Sequence, residues 1–77
     1  DVLKQCKTLE EKKQYDAILD LIEQKYPLNK NEKAPESVLK FYERIVNLLY
    51  DNSEDDSFIL RGLKYHKDSE LLKNLLL

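Results

Sequence analysis

Few side chains in this sequence have the type and setting that catalysis requires. His66 is the only histidine, and no serine, cysteine or carboxylate pattern near it indicates an activated nucleophile. It follows Lys64 and Tyr65 at the expected end of a helix, where a cation complements the negative helix terminus, so we interpret it as a helix-terminal residue. Cys6 lies on the apolar side of its segment and is expected to be a small buried hydrophobe. We predict that the chain is not an enzyme.

The sequence also lacks the patterns that hold metals or cofactors. Asp51, Ser53 and Asp55 alternate like the start of a calcium loop, but the sixth position is Asp56 rather than Gly and the twelfth is Gly62 rather than Glu. One cysteine and one histidine cannot close a zinc site, and a single glycine is too few for a phosphate-binding loop. We therefore expect no metal, no cofactor and no small-molecule substrate.

Ser53 has two interpretations. It precedes Glu54, Asp55 and Asp56, as in substrates of acidophilic kinases, and a phosphate there would lie at a helix N-terminus and rigidify it. Alternatively, Ser53 or Asp55 caps the following helix and the neighbouring acids favour its positive end. We favour the capping role, and the phosphorylation state stays open.

Charge and composition exclude several classes of protein. Thirteen basic and fifteen acidic residues give a net charge of −2, which argues against a strongly basic nucleic-acid or membrane-surface protein. No apolar run approaches the roughly 18 residues of a membrane span. Leu, Ile, Val and Phe account for 24 of the 77 residues, well above the roughly 20% below which chains are disordered. A weak nucleic-acid module that uses Arg61, Lys64, Tyr65 and Lys67 remains an alternative.

The elements that position these residues are predicted to be helices. The chain has one Gly and two Pro and is rich in Leu, Lys and Glu, which favours helix throughout. We expect an all-α fold, a small antiparallel bundle of four to five helices. A capping box at Thr8 and Glu11 predicts a helix from about Leu9 to about Lys25, stopped by Pro27, after an optional short helix over residues 1–7. One continuous helix from Val2 is the alternative.

The second half of the chain continues the helical pattern. Pro35 opens a strongly apolar helix that ends near Tyr50, and an apolar helical pattern resumes over residues 58–65. Asp68 or Ser69 is expected to cap a final leucine-rich helix. We interpret residues 1–77 as one helical domain. Because the chain contains no Met, we expect it to be part of a longer protein, and we expect an intracellular location, cytoplasmic or nuclear.

The leading functional hypothesis follows from apolar surface. The third helix and the leucine-rich tail, which contains the LxxLL pattern of groove-docking helices, carry more apolar surface than so small a bundle needs. We predict a non-catalytic protein–protein interaction domain that acts by helix-face docking or self-association, with another protein chain or a second copy as partner. The expected contact residues are Tyr50, Phe58, Arg61, Tyr65, Leu72 and Leu76.

Two segments also carry a resemblance. The sequence RIVNLLY at residues 44–50, following YDAIL at residues 15–19, loosely resembles the paired helices of bacterial bacteriocin-immunity proteins, over about half of the chain. That resemblance implies a small cytoplasmic four-helix bundle that neutralises a toxin by binding it. It supplies the alternative function of a stand-alone immunity-like protein.

Overall fold

A computed structural model describes residues 2–28 and 33–76. Within them the chain forms an all-α bundle of five helices, which confirms the expected fold class and helix number. The helices are α1 (Val2–Glu11), α2 (Tyr15–Lys25), α3 (Glu36–Ser53), α4 (Asp56–Tyr65) and α5 (Glu70–Leu75).

The boundary between the first two helices differs from the prediction. Thr8 does not begin a helix: it lies inside α1, where its hydroxyl donates to the Lys4 carbonyl oxygen at 3.2 Å. The chain turns at Lys13, which has a left-handed backbone with φ 61°, and the Gln14 amide donates back to the Leu9 carbonyl oxygen at 2.9 Å. This is a Schellman ending with Lys in place of the usual Gly, so no glycine marks the end of α1 in the sequence.

The connection between α3 and α4 is shorter than expected. Helix α3 continues past Tyr50 to Ser53, and only Glu54, with a left-handed φ of 55°, and Asp55 separate it from α4. The Asp55 side chain accepts a hydrogen bond from the Ser57 amide at 3.0 Å and so caps α4, as one of the two predicted caps. Helix α4 thereby begins two residues before Phe58.

Helix α3 is the centre of the bundle, and the other four helices pack against it. Val38, Tyr42, Ile45 and Val46 are its buried residues, and its remaining large apolar side chains are half-buried rather than exposed. This chain therefore covers much of the apolar surface of α3 itself, and the expectation that a partner covers the remainder stays a prediction. The core combines these residues with others from every described helix, namely Val2, Cys6, Ile18, Leu19, Ile22, Ile59 and Leu72.

The single glycine permits the close packing of α4. A Cβ atom at Gly62 would lie 2.8 Å from Leu72 Cδ1 and 3.1 Å from Val46 Cγ1, so a side chain there would clash with α5 and α3. Ser69 caps α5, as predicted, by accepting from the Leu72 amide at 3.2 Å. The cap and the glycine together place Leu72 in the core.

Candidate functional site

On a second side, next to Gly62, α4 reaches α2 through an arginine. The backbones of α2 and α4 do not pack closely, and Arg61 bridges them. Its Nη2 donates to Asp20 Oδ1 at 2.6 Å and to Glu23 Oε1 at 3.0 Å, and its Nε donates to Glu23 Oε2 at 3.0 Å. The hydrogen bonds to Glu23 are the main cause that raises the pKa of Arg61. The guanidinium fork is thus occupied by two carboxylates of its own chain.

A buried tyrosine of α3 also donates a hydrogen bond to the Glu23 carboxylate. Tyr42 of α3 is 0% exposed, and its hydroxyl donates to Glu23 Oε2 at 2.5 Å. Burial first, and then this hydrogen bond, raise the pKa of Tyr42 above its ordinary value of 10. Glu23 therefore receives one donor from α3 and two from α4, which fixes its position between the helices.

Tyr65 ties the end of α2 to α4. Its hydroxyl donates to the Tyr26 carbonyl oxygen at 2.7 Å and lies 3.3 Å from the Ile22 carbonyl oxygen. Its ring lies 4.8 Å from the ring of Tyr42 at a tilt of 38°. Burial raises the pKa of Tyr65, so its hydroxyl stays a donor at neutral pH. The backbone that leads into Pro27 and Leu28 is thereby held in place.

These bridges border an open groove. Two adjoining hollows, of about 480 and 400 Å³, share Pro27, Leu28 and Tyr65 in their walls, and we call them together the Leu28 groove. Leu28 is 58% exposed between them. The larger hollow continues along Tyr26, Ala34 and Leu39 to the residues after α4, and the smaller one along Glu23, Arg61 and Lys64. The groove has apolar walls and a fixed polar edge.

The charges around the Leu28 groove differ from those of the whole chain. Lys33, Lys64 and Lys67 line it, are exposed, and form no ion pair among residues 2–28 and 33–76. Asp68 is the one lining acid in the described part of the chain that likewise lacks a cationic partner, because Glu23 is paired with Arg61. The groove is therefore basic on a chain whose net charge is −2.

His66 also borders the groove and has a partner that the sequence did not indicate. It ends α4, as predicted, with its amide donating to the Gly62 carbonyl oxygen at 2.7 Å. Its Nε2 lies 2.9 Å from Glu43 Oε1 of α3. No Ser, Thr or Cys is among the described residues that line the groove, so none of these three nucleophiles lies beside the imidazole there.

The structure separates the six expected contact residues. Arg61 and Tyr65 lie together at the Leu28 groove, and Leu76 is 45% exposed after α5. Tyr50 and Phe58 are half-buried, and neither lines the groove. Leu72 is 0% exposed and packs in the core. Its assignment as a surface contact is wrong, because the LxxLL pattern does not tell which leucine of a terminal helix faces its own bundle.

Sequence reasoning missed most of the groove. Leu28 begins an otherwise polar stretch, residues 28–33, that the sequence predicts to be a loop, and Glu23 and Tyr42 are remote in sequence from Arg61 and Tyr65. One local signal was present in the sequence: Leu28 is a large apolar residue that directly follows Pro27, outside any predicted helix. A residue in that position is not on the buried face of a helix, so it is a candidate for exposure. Part of that loop, residues 29–32, lies outside the described residues, as do Asp1 and Leu77.

The phosphorylation hypothesis places Ser53 at the N-terminus of a helix, but the residue lies at the C-terminal end of α3. It is the last residue of α3, where its hydroxyl donates to the Leu49 carbonyl oxygen at 2.8 Å and accepts from the Asp55 amide at 3.3 Å. A phosphate on Ser53 would stand at the negative end of α3 and remove the first of these hydrogen bonds, so it would loosen that helix end rather than rigidify it.

Neither a protein family, a curated protein nor a solved structure matches the chain. The immunity-protein resemblance stays a prediction, as does the nucleic-acid alternative. Within the described ranges, none of the helices has the length and apolar content needed to cross a membrane, and no cluster of three or more His, Cys, Asp or Glu side chains is arranged to hold a metal ion.

Proposed function

We propose that this chain is a non-catalytic protein-interaction domain that binds a segment of another protein in the Leu28 groove. The observation that carries the proposal is an exposed leucine between two hollows whose walls are fixed by hydrogen bonds. Leu28 is 58% exposed, and the neighbouring backbone is held by Tyr65. Burial of such an apolar side chain against a partner contributes favourable free energy at about 25 cal/mol per Å².

The shape of the groove favours a protein segment over a small molecule. Drug-sized ligands are usually enclosed over roughly 70–90% of their surface. Both hollows are instead open to solvent and adjoin at Pro27, Leu28 and Tyr65, where α4 ends. Such a surface accepts successive side chains of a docked segment, with apolar residues at the centre and charged residues at the rim.

Preorganisation also supports binding at this place. Glu23, Arg61 and Tyr65 are already hydrogen-bonded to one another's helices in the unliganded chain. A partner therefore need not order these side chains when it binds, and ordering costs about 0.5–1.5 kcal/mol for each immobilised long side chain.

A peptide-display selection tests this proposal. Random peptides are selected on the wild-type chain and then measured against Leu28→Ser and Leu60→Ser. Leu60 is a matched control because it is also 58% exposed and lies outside the described lining of the groove. We expect the selected peptides to lose at least about tenfold in affinity with Leu28→Ser and to keep it with Leu60→Ser. Peptides that ignore Leu28, or no selected peptides at all, would overturn the proposal.

A further inference from the structure

We infer that the Leu28 groove recognises an acidic, apolar peptide segment: one or more apolar side chains for the hollows, flanked by at least two Asp or Glu side chains. This inference rests on the proposed function and specifies the chemistry of the partner. Some charged side chains at the groove are already paired within the described part of the chain, and others are not.

Three cations at the groove are available to a ligand. Lys33, Lys64 and Lys67 are exposed, and the described residues provide them with no carboxylate within ion-pair distance. Asp68 offsets one of the three, and Arg61 carries one charge against the two carboxylates of Asp20 and Glu23, so a smaller positive excess remains. A segment that carries carboxylates beside its apolar residues would satisfy these lysines, whereas a basic segment would meet like charges.

The described lining of the groove has no arginine free of carboxylate partners that could recognise a phosphate through a bidentate fork. Phosphate groups are commonly recognised by the bidentate fork of a free arginine. The one arginine in the described lining, Arg61, already donates to Asp20 and Glu23 at 2.6–3.0 Å. Lysine is a point charge that pairs with a single carboxylate without such a fork.

A nucleic acid fits less well than a peptide. Stacking on a base requires a free aromatic face, and the Tyr65 ring already packs on Tyr42 with centroids 4.8 Å apart. The apolar walls beside Leu28 would remain uncovered by a phosphate backbone.

The closing experiment compares two peptide libraries with the same apolar positions. The other positions are drawn from Asp, Glu and Ser in one library and from Lys, Arg and Ser in the other. Each library is selected on the wild-type chain, on Lys64→Glu with Lys67→Glu, and on Lys4→Glu with Lys7→Glu. The last pair is the matched control, because it makes the same charge change at exposed lysines on α1 with the same spacing.

We expect binders from the acidic library alone, with affinity at least about tenfold weaker at high salt because exposed charges are screened. The chain with Lys64→Glu and Lys67→Glu should no longer bind peptides of the acidic library and should bind peptides of the basic library. The chain with Lys4→Glu and Lys7→Glu should still prefer the acidic library. Binders from both libraries that still require Leu28 would overturn the acidic specificity and leave the proposed function standing. Binders that do not require Leu28 would overturn both.

Two further measurements distinguish other occupants. The acidic residues 51–57 of a second copy, followed by the exposed Leu60, have the same chemistry as the inferred segment. Sedimentation equilibrium of the wild-type chain that shows a dimer, lost in Lys64→Glu with Lys67→Glu, would assign the groove to self-association and overturn the inference. Displacement of a selected acidic peptide by a random single-stranded DNA oligonucleotide would overturn it in favour of a nucleic acid.

Discussion

Helix α4 is held on two sides by different interactions. On one side Gly62 allows α4 to approach Val46 and Leu72 so closely that no Cβ atom fits between them. On the other side Arg61, the neighbouring residue, spans a gap to Asp20 and Glu23 with its polar end. The close-packed side contributes apolar burial, whereas the bridged side leaves space between helices.

The contrast explains where the groove lies. A long side chain that bridges two helices at a distance leaves hollows beside it. The Leu28 groove lies beside two such side chains, Arg61 and Tyr65. A close-packed interface leaves no such hollows, because protein interiors approach crystal density. The close-packed side of α4 thus contributes apolar burial, and the bridged side borders the surface that we propose binds a partner.

The largest predicted effect concerns the close-packed side. Leu72→Ala removes a side chain that is 0% exposed, so we expect it to lower the free energy of unfolding by about 2–5 kcal/mol. Leu71→Ala makes the same change at the preceding residue of α5, which is 42% exposed. It should lower the free energy of unfolding by less than about 1 kcal/mol. Urea unfolding monitored by circular dichroism measures both. Equal losses would contradict the placement of Leu72 in the core.

These two leucines also show what the sequence can and cannot predict. Helical periodicity and Ser69 predict a capped helix around both of them, and that helix is present. Which leucine faces inward depends on where α5 meets α3 and α4, and that is set by Gly62, which no local pattern connects to α5. Element type is thus a local property and was predictable, whereas the inward face of a short terminal helix is a tertiary property.

The groove was predictable only in part for the same reason. Arg61 and Tyr65 attract attention by residue type alone, since both are enriched at binding surfaces. Their partners do not, because Glu23 lies 38 positions before Arg61 and Tyr42 lies 19 positions after Glu23. Lys13 shows the limit at the local level: its left-handed turn separates α1 from α2 without the glycine that usually marks one.

The next effect in size concerns the bridged side. Tyr42→Phe removes the buried hydroxyl that donates to the Glu23 carboxylate, and we expect a loss of about 1.5–3 kcal/mol, typical of hydrogen bonds to charged groups. Tyr50→Phe is the control, because the Tyr50 hydroxyl makes no hydrogen bond to any residue that the structure describes. A Tyr42→Phe chain as stable as the wild type would show that the bridges position the groove without stabilising the fold.

Alkaline titration sharpens the same comparison. Folding raises the pKa of Tyr42 and of Tyr65, so above pH 10 the folded state retains protons that the unfolded chain loses. Their contribution to stability is therefore complete below pH 10 and declines as pH rises further. We expect tyrosinate absorbance to show late ionisation that coincides with unfolding, and Tyr42→Phe to reduce the alkaline decline. A decline unchanged in Tyr42→Phe would assign it to other groups.

The smallest predicted effect concerns the N-terminal cap of α4, the helix that carries both the close-packed side and the bridged side. The Ser57 amide donates to Asp55 and lowers the pKa of this carboxyl in the folded state, so the cap's contribution is present above the ordinary value of 3.8 and is lost as pH falls. Asp55→Asn keeps a capping side chain that does not titrate, because asparagine is also a favoured N-cap. We expect a smaller acid loss of helical circular dichroism in Asp55→Asn than in Asp51→Asn, which removes the same charge inside α3. If the two variants respond alike to acid, repulsion among the positive charges of the whole chain governs the acid response. The hydrogen bond between the Ser57 amide and Asp55 would then not determine how α4 responds to acid.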